Sequence, residues 1–156
     1  QAMEAGLQSV ISDAELVVVH TGDFNDAAVA IEAAQGLLAQ DINVIYTFLG
    51  GAMFPSGGAI AGAGGVAFSA SSYTCFPGSP FGGSVLFPPG AYLASNLNDL
   101  ADGNYVDGSI RSFKVGVDDA VGVALCDASE EEQAAIDSVV EAIGSGELVP
   151  EDLVGG

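Results

Sequence analysis

The sequence predicts an α/β domain, a three-layer sandwich with a mostly parallel sheet between helices. Three observations carry this. Glu15–Thr21 (ELVVVHT) and Ile42–Leu49 (INVIYTFL) are near-continuous apolar runs, as in strands buried on both faces. Between them Ala30, Ala33, Ala34 and Leu37 recur at helical spacing. A strand–helix–strand order of this size implies a right-handed parallel crossover.

The remaining elements follow in order. Residues 1–12 read as a short helix with Met3, Leu7, Val10 and Ile11 on one face. Asp26, at the end of the GDFND corner, can cap the helix that runs to about Gln40. Residues 50–65 are rich in glycine, with a short helix expected over Gly57–Ala63, and Val66–Ser71 reads as a strand. Residues 72–90 hold four of the six prolines among glycine and aromatics, so they read as a loop containing one short extended piece, GSVLF. A helix is expected over Ala91–Gly103, ended by glycine. Strands are expected at 108–117 and 120–126. The last helix opens on a capping box, Ser129 with Glu132, with Ile136, Val139, Val140 and Ile143 as its apolar stripe and Gly144 or Gly146 as its stop. Residues 147–156 read as a tail or docking strap.

With 156 residues, nearly half of them apolar, the chain is expected to be a single lobe with a real core. No apolar run reaches the roughly 18 residues that a membrane-spanning helix needs. The start lacks a basic-then-apolar pattern, which reads as a signal peptide absent or removed. Charge is the most unusual feature. Twenty-one acids face two cations, Arg111 and Lys114, for a net charge of −19. That balance argues against nucleic acid or anionic lipid as a partner, because both are held by Lys and Arg. It suits a protein made for high salt, where repulsion among carboxylates is screened within a few ångström; an ordinary acidic protein is the alternative.

Residue chemistry points to binding rather than catalysis. The glycines at 50, 51, 57, 58, 62, 64 and 65 lack the GK[ST] ending of a phosphate loop, so tight turns and close packing are the favoured reading. Asp23, Asn25 and Asp26 form only part of a calcium loop, without its glycine and distal glutamate. His20 is the sole histidine, with no second ligand nearby in sequence and no GxSxG elbow to serve. Cys75 and Cys126 have no metal spacing; two free buried thiols are favoured, with pairing as the alternative in a secreted protein. No cofactor and no metal are implied. Aromatic residues crowd the first two-thirds of the chain, and those near strand C-termini could line a cleft for a flat ligand.

One family resemblance runs through most of the chain. The stretch GLQSV through DAELVVVHTGDFNDAAVAIEAAQGLLAQDINVIYTFLGG, then LNDLADGNYVDG, then VGVDDAVGVALCDASEEEQAAIDSVVEAIGSGELVPED, resembles in order and spacing the C-terminal half of the basic membrane protein family. These are substrate-binding lipoproteins of nucleoside ABC importers. The resemblance implies a periplasmic-binding-protein-like lobe of a longer two-lobe protein, at the cell surface through a lipid anchor carried by a precursor. It implies a small-molecule ligand, nucleoside-like as in the family. As partners it implies the first lobe, an ABC permease or another subunit, with a homo-oligomer possible.

The resemblance also implies ligand-binding residues. Tyr46 stands where an aromatic stacks on the base, Gly50 and Gly51 follow its strand, Ser84 matches a serine at the second lobe crossing, and Asp118 adjoins a lysine position filled here by Val117. Where acids for ribose hydroxyls are expected, Ala70 and Ser72 stand instead, and FPPG replaces polar residues after Ser84. A site stripped of hydrogen-bonding groups loses discrimination for a polar ligand, so a more apolar ligand, or none, is expected. The other reading of the chain is a binding-protein lobe reused as a structural or assembly subunit.

Overall fold

The computed structural model describes residues 2–108, 110 and 112–154. Its order is α1 (Ala2–Val10), α2 (Ala27–Leu38), β1 (Val44–Thr47), α3 (Met53–Gly62), β2 (Val66–Ser71), β3 (Phe81–Leu86), α4 (Pro89–Ala101), β4 (Gly122–Leu125), α5 (Glu130–Ser145) and a closing 3-10 turn at Pro150–Leu153. The four strands form one sheet in the order β1-β2-β3-β4. β1 with β2 and β2 with β3 are parallel; β3 with β4 is antiparallel.

Local chemistry explains most boundaries. The Asp26 carboxylate accepts from the amides of Ala28 and Val29 at 3.0 and 3.2 Å, satisfying donors that the first turn of α2 leaves open. The capping box of α5 closes in both directions, with Ser129 Oγ accepting from the Glu132 amide and Glu132 Oε2 from the Ser129 amide. The Ser129 backbone bond, and then its hydroxyl, hold the Glu132 carboxyl below the usual range. The capping contribution is therefore present above the ordinary carboxylate pKa and lost as pH falls through the lowered one. Helix α3 starts at Met53, ahead of the expected Gly57, because Pro55 falls in its first turn, where no amide bond is needed.

The core lies on one face of the sheet. Ala34 and Leu37 of α2, Ile60 of α3, Ile45 of β1, Ala67 of β2 and Phe81 of β3 form one buried cluster, edged by Leu38, Ile42 and Met53. Strand period sorts the residues: Ile45 and Thr47 point into this layer, while Val44 and Tyr46, paired with Val66 and Phe68, lie on the other face and stay at least partly exposed. At the far edge α5 packs against β4. Its seat is a backbone-to-backbone approach. A Cβ on Gly116, whose φ is +78°, would lie 2.2 Å from the Val140 carbonyl, and one on Gly144 would lie 2.6 Å from the Gly116 carbonyl. The closing 3-10 turn docks on α1, as a strap would.

Three expectations are corrected. Glu15–Thr21 is not a strand, since it hydrogen-bonds to no neighbour through its backbone among the described residues. Residues 108–117 form no strand among the described residues, where Ile110 is 94% exposed; Gly108 and Gly116, both at positive φ, break the extended backbone at its two ends, and Ser109 and Arg111 lie outside the described residues. The short extended piece expected within 72–90 is β3, which runs over Phe81–Leu86 and lies between β2 and β4 in the sheet. Finally, Cys75 and Cys126 are not free thiols: they form a disulfide, with Cα atoms 5.1 Å apart.

Candidate functional site

Ligands of open parallel sheets gather at the carboxyl ends of the strands. Here that end is aromatic. The Phe48 ring, just past β1, lies 6.1 Å from Phe24, 6.3 Å from Tyr46 and 6.0 Å from Phe87, which follows β3. Phe24 and Phe48 are 57% and 55% exposed, so their faces are available to a solute. Tyr46 is half-buried, and that burial raises its phenol pKa, which extends its neutral, hydrogen-bond-donating form further into the alkaline range.

Gly50 and Gly51 do different work. Their amides are already used: Gly50 N–H donates to the Phe24 carbonyl at 2.9 Å, Gly51 N–H to Asn25 Oδ1 at 2.8 Å, and Ala52 N–H to the same Phe24 carbonyl at 3.2 Å. A Cβ on either glycine would stand 2.9 or 3.0 Å from Asn25 Oδ1, so the double glycine lets the GDFND corner close onto the start of α3. Asn25 was legible in the sequence only as part of an incomplete calcium loop; its role is this brace, itself set by its amide bonding Asp23 Oδ1 at 2.6 Å. We expect Asn25→Ala to cost about 1 kcal/mol in urea unfolding through the lost acceptor, and Asn25→Asp, which keeps the oxygen, to stay near wild type. Equal losses for both would remove the brace from the account.

Ser84 is fully buried. Its Oγ meets Thr74 Oγ1 at 2.6 Å and Ser69 Oγ at 3.0 Å and accepts from the Thr74 amide at 3.0 Å; Ser69 Oγ and Thr74 Oγ1 are 2.6 Å apart. Three hydroxyls thus close a triangle that pins the 72–80 crossover to β2 and β3, with the disulfide one residue further along. Asp118 closes a turn, its Oδ2 accepting from the Lys114 amide at 2.7 Å. The structure therefore gathers Tyr46, Gly50 and Gly51 at one corner of the sheet, places Ser84 inside, and ties Asp118 to its own loop. No cluster of three metal-ligating side chains occurs among the described residues, and none of their helices is long and apolar enough to cross a membrane.

No protein-family model matches the chain, and no curated protein matches its sequence. Solved structures do. A transcriptional activator of the comK gene from Bacillus halodurans superposes with a TM-score of 0.72 at 18% identity, covering 83% of this chain and 46% of that one. An ABC transporter solute-binding protein from Conexibacter woesei superposes at 0.67 and 19% identity, covering 93% of this chain and 49% of that one. The fold is that of a periplasmic-binding-protein-like lobe. This lobe spans about half the length of each of the two proteins it matches.

Proposed function

We propose that this lobe is the C-terminal half of a solute-binding component of an ABC importer, of the basic membrane protein kind, and that it holds a flat, largely apolar small molecule without chemistry. The observation that carries this is the exposed aromatic corner of Tyr46, Phe48, Phe24 and Phe87 at the carboxyl ends of β1 and β3. Rings there can stack on a flat solute, while the polar groups that would single out a nucleoside are few: Ser84 is spent internally and Ala70 stands in place of an acid. The disulfide supports a place outside the cytoplasm, because such bridges persist in oxidising compartments. Acid crowding suits concentrated salt.

Thermal melts test both points together. In 3 M salt the midpoint should exceed that in 0.1 M. Adenosine, guanosine and inosine should move the 156-residue lobe little. In the two-lobe protein a flat solute should raise the midpoint, and Phe48→Ala should abolish that rise. A two-lobe protein that none of a panel of free bases, nucleosides and aromatic acids stabilises would remove the binding role.

A second reading has its own observation. Helix α4 exposes Leu93, Leu97 and Leu100, an apolar stripe of the kind that marks contact surfaces. That stripe fits a first lobe, and equally a subunit contact in an assembly. Fold alone does not choose, as the transcriptional activator on the same scaffold illustrates.

A further inference from the structure

The aromatic corner has a charge preference as well as a shape. It lies past the carboxyl end of β1, the first strand in the sheet order, and its most exposed rings, Phe24 and Phe48, stand with their planes at 76°. The face of a ring is the negative pole of its quadrupole, so an exposed face attracts a cation and resists an anion.

The polar groups of the corner lean the same way. Asp23 and Asp26 flank it in the chain, both exposed, and each carboxylate accepts through Oδ1: the Asn25 amide at 2.6 Å on Asp23, the Ala28 and Val29 amides at 3.0 and 3.2 Å on Asp26. Neither Oδ2 takes a hydrogen bond from a described residue. Asp26 also sets its charge against the positive end of α2, which would otherwise favour an anion. The backbone donors that Gly50 and Gly51 bring to the corner are spent on the Phe24 carbonyl and Asn25 Oδ1. The Tyr46 hydroxyl and Asn25 Nδ2 can still donate, and both are neutral. No described lysine or arginine stands there to hold an anion. Lys114 Nζ donates instead to the Gly144 carbonyl at 3.4 Å, near the end of α5, the helix that packs on β4 at the opposite edge of the sheet.

We infer that the solute of the aromatic corner is a flat organic cation, a conjugated ring with a permanent positive charge on an alkylated nitrogen. The inference rests on the solute-binding reading and adds the sign of the charge to it. Charge spread over a ring is weakly hydrated and leaves water at less cost than a compact ammonium, while its plane keeps the stacking area. Twenty-one acids against two cations add a negative field over the whole surface. Concentrated salt shortens that field to about 3 Å, but the contact of a cation with a ring face persists.

Three flat probes of one shape test it on the 156-residue chain in salt of about 1 M. They are ring-N-methylated nicotinamide, a cation; meta-toluamide, its neutral isostere; and meta-toluate, an anion. Amide chemical shifts of Phe24, Tyr46 and Phe48 read binding at the corner. The cation should bind there roughly fivefold or more tightly than the neutral probe, and the anion should move none of those amides. Phe48→Leu, at a position already 55% exposed, should lower the cation's affinity to that of the neutral probe. Asp23→Asn, which keeps an oxygen for the Asn25 amide, should weaken the cation alone, by roughly twofold. The comparison of the three probes on the wild-type chain stands without either variant. Equal affinity for the cation and the neutral probe, tighter binding of the anion, or a preference that survives Phe48→Leu would overturn the cation and leave the corner a solute site. Cation shifts spread over Glu130–Glu132 at the start of α5, rather than gathered at the corner, would mark a diffuse ion cloud and overturn it too. No shift from any of the three would remove the solute site itself, and the cation with it.

Discussion

Replacing Phe81 by alanine should cost about 3–5 kcal/mol, a third or more of the stability usual for a domain of this size. Phe81 opens β3 and is 4% exposed. Its ring meets Phe54 edge-on at 5.2 Å and lies so close over α3 that a Cβ on Gly57 would come within 2.6 Å of it. It thereby joins the sheet to the α2–α3 layer through Ile60 and Ala67. Truncation removes the transfer gain of the ring and leaves a cavity that backbone-close neighbours cannot fill. Urea unfolding of Phe81→Ala against wild type in the same high salt measures the loss. A loss below about 1.5 kcal/mol would mean that α3 collapses into the space and that the core does not depend on this ring.

Opening the disulfide should be comparably severe. Cys75 and Cys126 are 51 positions apart, and closing a loop of that length removes about 4 kcal/mol of chain entropy from the unfolded state. The bridge also holds the 72–80 crossover against the end of β4, where the Cys126 amide donates to the Gly82 carbonyl at 2.8 Å. The double variant Cys75→Ser with Cys126→Ser, and wild type treated with a phosphine reductant, should both melt many degrees below the oxidised protein. Coincident melts, or alkylation of the native protein without prior reduction, would show that the pair does not constrain the fold.

The sequence disclosed elements whose causes are local. Asp26 and the Ser129–Glu132 box announce helices by side chains one turn from their targets, and INVIY carries its strand in β-branched residues. What it hid depends on neighbours. ELVVVHT has the composition of a strand but lacks a partner to bond, so the chain alone leaves it open. β3 showed only as the short piece GSVLF, because Gly82 and Gly83 break the apolar period and prolines bracket it; Gly83 is what lets Phe68 lie close to the backbone. The corner of Tyr46, Gly50 and Gly51 was foreseeable as a place; that Asn25 and the Phe24 carbonyl consume its amides was not, because the brace spans 26 positions. Ser84 reads as a ligand-binding serine by resemblance; that Thr74 is brought back over it, by a crossover that no periodicity encodes, is visible only in the structure.

The pairing of β3 with β4 sets an order of assembly. β1, α3 and β2 are neighbours in sequence as well as in space, so their contacts form over short loops. Leu125, by contrast, must return to Gly83 across the whole of α4 and the turns that follow it. Long closures are the slow ones. The last strand to be laid down is thus the one that brings Cys126 to Cys75, and oxidation there converts the most reluctant step of folding into one that does not reverse while the bond lasts.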